Sequence, residues 1–210
     1  MRIFFSLESD AKHPITQACK SLGHELIQSS LLSYTPVEGK PQKAFDIIFF
    51  SSPRAYQFGK HLLKANTKIA CVSKGTANYI EQPIAWQGNS PGDPKQTAQS
   101  FKHWVGKQRV LFPVSDRSLG SIAKLFPSEQ IECITVYQTH LIAKEIVPCD
   151  CYIFTSPSNV AAFLMKNKMP KNAKIIAWGQ STYQFLKDNG LDAVFYTEEN
   201  KHWEEVLSFQ

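Results

Sequence analysis

The sequence predicts an α/β fold of two flavodoxin-like lobes, each a parallel sheet flanked by helices. Short apolar strands alternate with helical patterns along the chain. The strands are near-continuous apolar runs, as in sheets covered on both faces. The chain also repeats itself half a length later: IIFFSSPRA at Ile47–Ala55 returns as CYIFTSPSN at Cys151–Asn159, and KIACVSKGTANYI at Lys68–Ile80 as KIIAWGQSTYQFL at Lys174–Leu186. A third pair, RIFFSLESD from Arg2 and RVLFPVSD from Arg109, keeps a similar offset. Two such units facing each other would make a cleft lined by strand-end and helix-start loops, which suit an anionic ligand.

Strand patterns bounded by turn signals fall at Arg2–Phe5, Asp46–Phe50, Lys68–Val72, Arg109–Phe112, Ile131–Tyr137, Tyr152–Thr155, Lys174–Trp178 and Ala193–Tyr196. Between most of them lie helices. Pro14–Leu22 spaces Ile15, Cys19 and Leu22 along one face, and Ser52–Leu63 and Ser156–Met165 both open on Ser-Pro, an N-cap followed by the favoured first helical residue. A helix opening at Ser181 stops at Asn189-Gly190. Gln87–Gln96 reads as a long surface loop before a helix over Thr97–Val105. The segments Leu31–Val37 and Ile134–Ile142 hold equivalent places in the two halves and read as strands crossing between lobes. The expected division is lobe 1 over 1–33 plus 142–210, lobe 2 over 40–133, and connector strands at 34–39 and 134–141.

Composition narrows the function classes. The chain has 210 residues, 43% hydrophobic and 20% charged, which excludes disordered and fibrous classes. No apolar run approaches about 18 residues and the N-terminus enters a strand directly, so a soluble cytoplasmic protein without membrane contact is expected. Five scattered cysteines suggest reduced thiols; the Cys149-x-Cys151 pair has no second ligand pair at zinc spacing. A net charge of +5 without a helix-turn-helix or aromatic RNA-binding signature fits a small polyanion better than nucleic acid.

With these motifs in view, the chain resembles the uroporphyrinogen-III synthase family over almost its whole length. The resemblance is carried by FFSSPRA at Phe49–Ala55, VSKGTA at Val72–Ala77, RVLFPVSDRS at Arg109–Ser118, VYQT at Val136–Thr139, IFTSPSNV at Ile153–Val160, WGQST at Trp178–Thr182 and NGLDA at Asn189–Ala193. It is their order and spacing together that is specific. The resemblance implies two lobes with a discontinuous first lobe, joined by a two-strand antiparallel connector, in agreement with the crossing strands. It also implies cyclisation of hydroxymethylbilane to uroporphyrinogen III, with loss of water and inversion of ring D, without metal or organic cofactor. In the matching motif Gln180 stands where the family often has Pro, and Ser181 replaces a Thr.

No Ser-His-Asp set, HExxH, P-loop or GxGxxG is present. The implied reaction tolerates this, because the substrate's own pyrrole nitrogen expels the hydroxyl and the protein's task is to select one closure. The helix starts after Ser52, Thr76, Ser156 and Thr182 are expected to offer N–H groups and hydroxyls to carboxylates, with Arg54 and Arg117 as the nearest cations. For each Ser or Thr, a plain helix cap is the competing reading. The matching motifs add Ser115, Ser158, Asn159 and Gly179 as substrate contacts. Tyr137 matches the family's tyrosine and is expected to donate to the leaving hydroxyl, a task that suits a phenol with its ordinary pKa of about 10. Tyr34, its counterpart in the first half, keeps open the alternative of connector packing.

The expected partners are the substrate hydroxymethylbilane and, in transient contact, hydroxymethylbilane synthase, with no nucleic acid and no membrane, and the expected state is a monomer. One rival is a non-catalytic two-lobed protein that binds a tetrapyrrole or another polyanion. A nucleotide-binding protein lacks its glycine-rich loop here. A response-regulator-like module would need clustered acids where Ser6, Ser51 and Ser115 stand, with Asp116 alone.

Overall fold

Hydrophobic side chains on both faces of four-residue strands decide the architecture, because such strands are stable only with helices on each side. The computed structural model describes residues 1–11, 13–89, 93–196 and 202–208. In chain order the strands are β1 (Arg2–Phe5), β2 (Glu25–Gln28), β3 (Leu32–Pro36), β4 (Ile47–Phe50), β5 (Lys68–Cys71), β6 (Ile84–Gln87), β7 (Val110–Ser115), β8 (Ile131–Leu141), β9 (Cys151–Phe154), β10 (Lys174–Trp178) and β11 (Val194–Tyr196). The helices are α1 (Pro14–Ser21), α2 (Pro53–Gly59), α3 (Lys74–Ala77), α4 (Pro94–Val105), α5 (Pro157–Leu164), α6 (Gln180–Asp188) and α7 (Trp203–Leu207).

The chain divides into two compact units, Met1–Ser33 with His140–Gln210, and Tyr34–Thr139. The first unit holds a five-stranded sheet in the order β11-β10-β9-β1-β2, parallel throughout. One face of it, including Ile3, Phe5 and Ile153, packs with Ile15 and Cys19 of α1 and with Trp203 and Leu207 of α7. On the alternate positions Phe4, Tyr152 and Phe154 pack with Phe163 of α5.

The second unit holds a six-stranded sheet in the order β3-β8-β7-β4-β5-β6. Its two faces are read off β4: Ile47 and Phe49 pack with Phe101 and Val105 of α4, whereas Ile48 and Phe50 pack with Ala55 and Tyr56 of α2. Gly59 ends α2 against β7, and a Cβ there would lie 2.8 Å from Cβ of Pro113, so only glycine lets the helix seat this closely. The edge strand β3 pairs with β8: Val37 N–H donates to the Val136 carbonyl (2.9 Å) and Ile142 N–H to the Leu31 carbonyl (2.8 Å), one register rising as the other falls, as in an antiparallel pair. Both of these strands carry the chain across a boundary between units.

Two strands are added to the expected set and two helix boundaries are corrected. The strands β2 and β6 have no clear signature in sequence; both are half-buried edge strands, and ELIQ and IAWQ are too short to display a period. The helix expected from Thr97 begins at Pro94, because Asp93 accepts from Gln96 N–H (2.9 Å) as an N-cap and Pro94 takes the first helical position. Residues 90–92 of the loop expected at Gln87–Gln96 lie outside the described residues. The helix expected over Ser52–Leu63 is α-helical only to Gly59 and finishes in a 3-10 turn at Lys60–Leu62. Among the described residues no helix is long and apolar enough to cross a membrane.

All five cysteines are free, and only Cys133 is exposed. Burial pushes the Cys19 and Cys149 thiols up to about 11 and that of Cys151 up to about 12, which suppresses the thiolate that reacts. Titration of the native protein with an aromatic disulfide reagent at mildly alkaline pH is expected to label Cys133 promptly, and the remaining thiols only after denaturation. Prompt labelling of Cys151 would contradict this packing.

Candidate functional site

In a parallel sheet the loops that leave the carboxyl ends of the strands can present side chains and free helix N–H groups to a ligand.

In the second unit β7 and β8 run in parallel register from Val110–Ile131 to Val114–Thr135, then slip by one residue so that Ser115 stands opposite Tyr137. Val136 is the extra residue. The slip reverses the alternation of side chains and places Tyr137 on the face covered by α2, together with Ile134, Phe50 and Tyr56. Tyr137 is 9% exposed. Its ring stacks on Phe58 (centroids 5.0 Å, interplanar 26°) and meets Tyr34 nearly at right angles (5.8 Å, 69°). Ser115 is half-buried.

The backbone around Tyr137 is pinned by the loop after β7. Asp116 N–H donates to the Tyr137 carbonyl (3.2 Å), the Asp116 carboxylate accepts from Thr139 N–H (2.9 Å), and Arg117 Nε donates to the Thr139 carbonyl (3.2 Å). Asp116 and Thr139 thereby join the site, although neither was among the expected contacts; the VYQT and SDRS motifs contained them, but nothing in a linear pattern says that the two motifs grip each other. Arg54, on the first turn of α2, lies with its guanidinium 3.5 Å above the centroid of Tyr34, and its Nη1 is buried without a hydrogen-bond partner.

Ser52 is the N-cap of α2, accepting from Ala55 N–H (3.0 Å). Thr76 departs from the expected placing at a helix mouth: α3 starts at Lys74 after an extended Ser73, so Thr76 is its third residue, turned inward and 3% exposed.

In the first unit, Ser156 caps α5 by accepting from Asn159 N–H (3.2 Å). The Asn159 side chain is engaged inside the protein: Oδ1 accepts from Leu31 N–H (3.0 Å), and Nδ2 donates to Ser156 Oγ (3.1 Å). Beside it Ser6 and Thr155 join the ends of β1 and β9, Ser6 Oγ accepting from Thr155 N–H (2.9 Å) while Thr155 Oγ1 donates to the Ser6 carbonyl (3.0 Å). Ser158 is half-buried in the first turn of α5. Gly179 leads into α6 at φ +102°, a backbone that side chains disfavour, and no side chain caps the helix there. Thr182 is the third residue of α6 rather than its cap, 1% exposed, with Oγ1 donating back to the Trp178 carbonyl (3.4 Å).

The expected residues therefore separate by role. Ser52, Ser156, Asn159 and Thr182 have internal hydrogen-bond partners, and Arg54 has an aromatic one. Among the described residues the side chains of Ser115 at the end of β7, Tyr137 at the slip in β8 and Ser158 in the first turn of α5 make no hydrogen bond, and Arg117 uses Nε alone. Among the described residues no three His, Cys, Asp or Glu side chains converge as a metal site.

The family model HEM4, uroporphyrinogen-III synthase HemD, matches residues 13–204. No curated protein matches the chain. Among solved structures the chain is similar to the uroporphyrinogen-III synthetase of Helicobacter pylori, at 16% identity over 98% of both chains with a TM-score of 0.68. It is also similar to a mutant uroporphyrinogen III synthase of Thermus thermophilus, at 14% identity over 98% of this chain and 96% of that one, with a TM-score of 0.58. At these identities the structural likenesses establish the fold.

The internal role of Asn159 has a measurable consequence. Asn159→Ala leaves the buried Leu31 N–H without an acceptor and is expected to lower the free energy of unfolding by about 1–3 kcal/mol, read from urea titration. Ser158→Ala on the same turn is expected to stay within about 0.5 kcal/mol of the native protein.

Proposed function

We infer the course of the reaction from one premise: the chain belongs to the uroporphyrinogen-III synthase family. It is a cyclising lyase of haem biosynthesis, closing linear hydroxymethylbilane to uroporphyrinogen III with loss of water and inversion of ring D. The pyrrole nitrogen next to the hydroxymethyl carbon pushes out the hydroxyl and leaves an azafulvene. Its electrophilic carbon then bonds to the substituted position of ring D, and the resulting spiro intermediate rearranges to the inverted ring. Simple closure without inversion competes. Preferring the inverted product a hundredfold requires about 3 kcal/mol between the two closing transition states, which shape and a few hydrogen bonds supply.

In our reading Tyr137 donates a hydrogen bond to the departing hydroxyl. The observation that carries this role is its burial between Phe58 and Tyr34 at the slip in the β7–β8 ladder: a phenol held by two rings keeps one direction and needs little reorganisation as charge develops. Ser115, directly across the ladder, and the terminal nitrogens of Arg117 are proposed to meet substrate carboxylates, together with Ser158 and the backbone N–H groups that follow Gly179. Ser52 and Ser156 contribute through the helix starts that they cap. Thr76, Asn159 and Thr182 are proposed to act by holding the loop backbones, in keeping with their burial. The protein is further proposed to work as a cytoplasmic monomer that receives its substrate by transient contact with hydroxymethylbilane synthase. What supports the last point is chemical: free hydroxymethylbilane closes spontaneously to the wrong isomer.

The test is an isomer assay with freshly made hydroxymethylbilane, the cyclised product being oxidised and types I and III separated by chromatography. The native protein is expected to yield predominantly type III. Tyr137→Phe, which removes the hydroxyl and keeps the ring, is expected to form it about a hundredfold more slowly. Type I alone, at the spontaneous rate, would instead favour a non-catalytic protein that binds tetrapyrroles.

A further inference from the structure

We propose that Arg54 is a positioning residue for Tyr137, acting through Tyr34 rather than by receiving a substrate carboxylate. The guanidinium lies 3.5 Å over the centre of the Tyr34 ring, which is stacking contact. Its Nη1 is buried without a hydrogen-bond partner, and the ion pair found among the described residues, Arg2 with Glu25, is elsewhere. Arg54 is half-buried, and the buried side of its guanidinium has the Tyr34 ring as its contact.

The helix that carries Arg54 is itself well anchored. Ser52 caps it, Pro53 occupies the first helical position, and Gly59 seats its end against Pro113 where no Cβ fits. Arg54 and Phe58 are four residues apart and so share one face of α2. From that face Phe58 stacks directly on Tyr137, while Arg54 fixes the plane of Tyr34, which meets Tyr137 edge to face. One helix thus holds the tyrosine from two directions. Losing the arginine removes the cation from the face of Tyr34 and loosens the ring that meets Tyr137 edge to face.

This inference rests on the reading of Tyr137 as hydroxyl donor, and the experiment separates the two. Arg54→Lys keeps the charge but cannot stack flat, and Arg54→Met removes the charge as well; both retain a long stem compatible with the helix. Each is expected to lower kcat by about tenfold to a hundredfold with KM changed by less than about twofold. In a Tyr137→Phe background neither is expected to lower kcat further, since effects that run through one hydroxyl do not multiply. A KM increase at unchanged kcat that Arg54→Lys rescues, or losses that multiply with Tyr137→Phe, would overturn the proposal and assign Arg54 to a carboxylate. The ring resonances of Tyr34 and Tyr137 give a readout independent of activity: both are expected to shift and their ring flips to accelerate in Arg54→Met. Unchanged rings would overturn the positioning role whatever the rates show. Moved rings with a fully active Tyr137→Phe would uphold the positioning role and remove the catalytic one from Tyr137.

Discussion

One extra residue in the ladder between β7 and β8 governs the arrangement around Tyr137. In a regular strand neighbouring side chains point to opposite faces, so Thr135 and Tyr137 would share the face that packs against α4. The slip at Val136 transfers Tyr137 to the other face, where α2 supplies Phe58 and Arg54 and where β3 supplies Tyr34. It also sets Ser115 across from the tyrosine and brings Asp116 and Arg117 against the peptide of Thr139. Bulges of this kind re-aim side chains at the ends of sheets.

The rest of the fold supplies a rigid base for that local change. Both sheets are covered on two faces, and β4 shows why the short strands are so apolar: Ile47 and Phe49 serve one layer of helices while Ile48 and Phe50 serve the other. A strand of this type has no face left for polar side chains, so polar groups gather at its end. Ser6, Ser52, Ser115 and Ser156 all stand at or just beyond strand ends. Several of them tie loops to sheets before any ligand is considered, as the bonds between Ser6 and Thr155 and between Asn159 and Leu31 show. For a reaction driven by the substrate's own nitrogen, a stiff framework that selects one closure is the main catalytic requirement.

The repeat shows how one design serves two purposes. The Ser-Pro helix starts at Ser52 and Ser156 have the same cap geometry, yet the residues that follow diverge. After Pro157 the chain places Asn159, whose amide braces the buried backbone of Leu31. After Pro53 it places Arg54, which reaches the ring of Tyr34. In both cases the first turn of the helix holds the segment that leads from the first unit into the second.

The layered α/β class, most strands, the Ser-Pro helix starts and the family itself were legible in the sequence, because each is written in neighbouring residues: apolar runs, N-caps, Gly at helix ends and ordered loop motifs. The edge strands β2 and β6 were not, since half-buried four-residue segments carry too little pattern. Nor could the linear pattern distinguish a serine that caps a helix from one that faces a ligand, or show that Thr76 and Thr182 turn inward, because one residue of shift at a helix start changes which side chain is buried. The pairing of Arg54 with Tyr34, the grip of Asp116 and Arg117 on Thr139, and the face that Tyr137 occupies were decided only by tertiary structure. Each depends on register between segments distant in the chain, and a one-residue slip in that register reverses the face of every side chain beyond it.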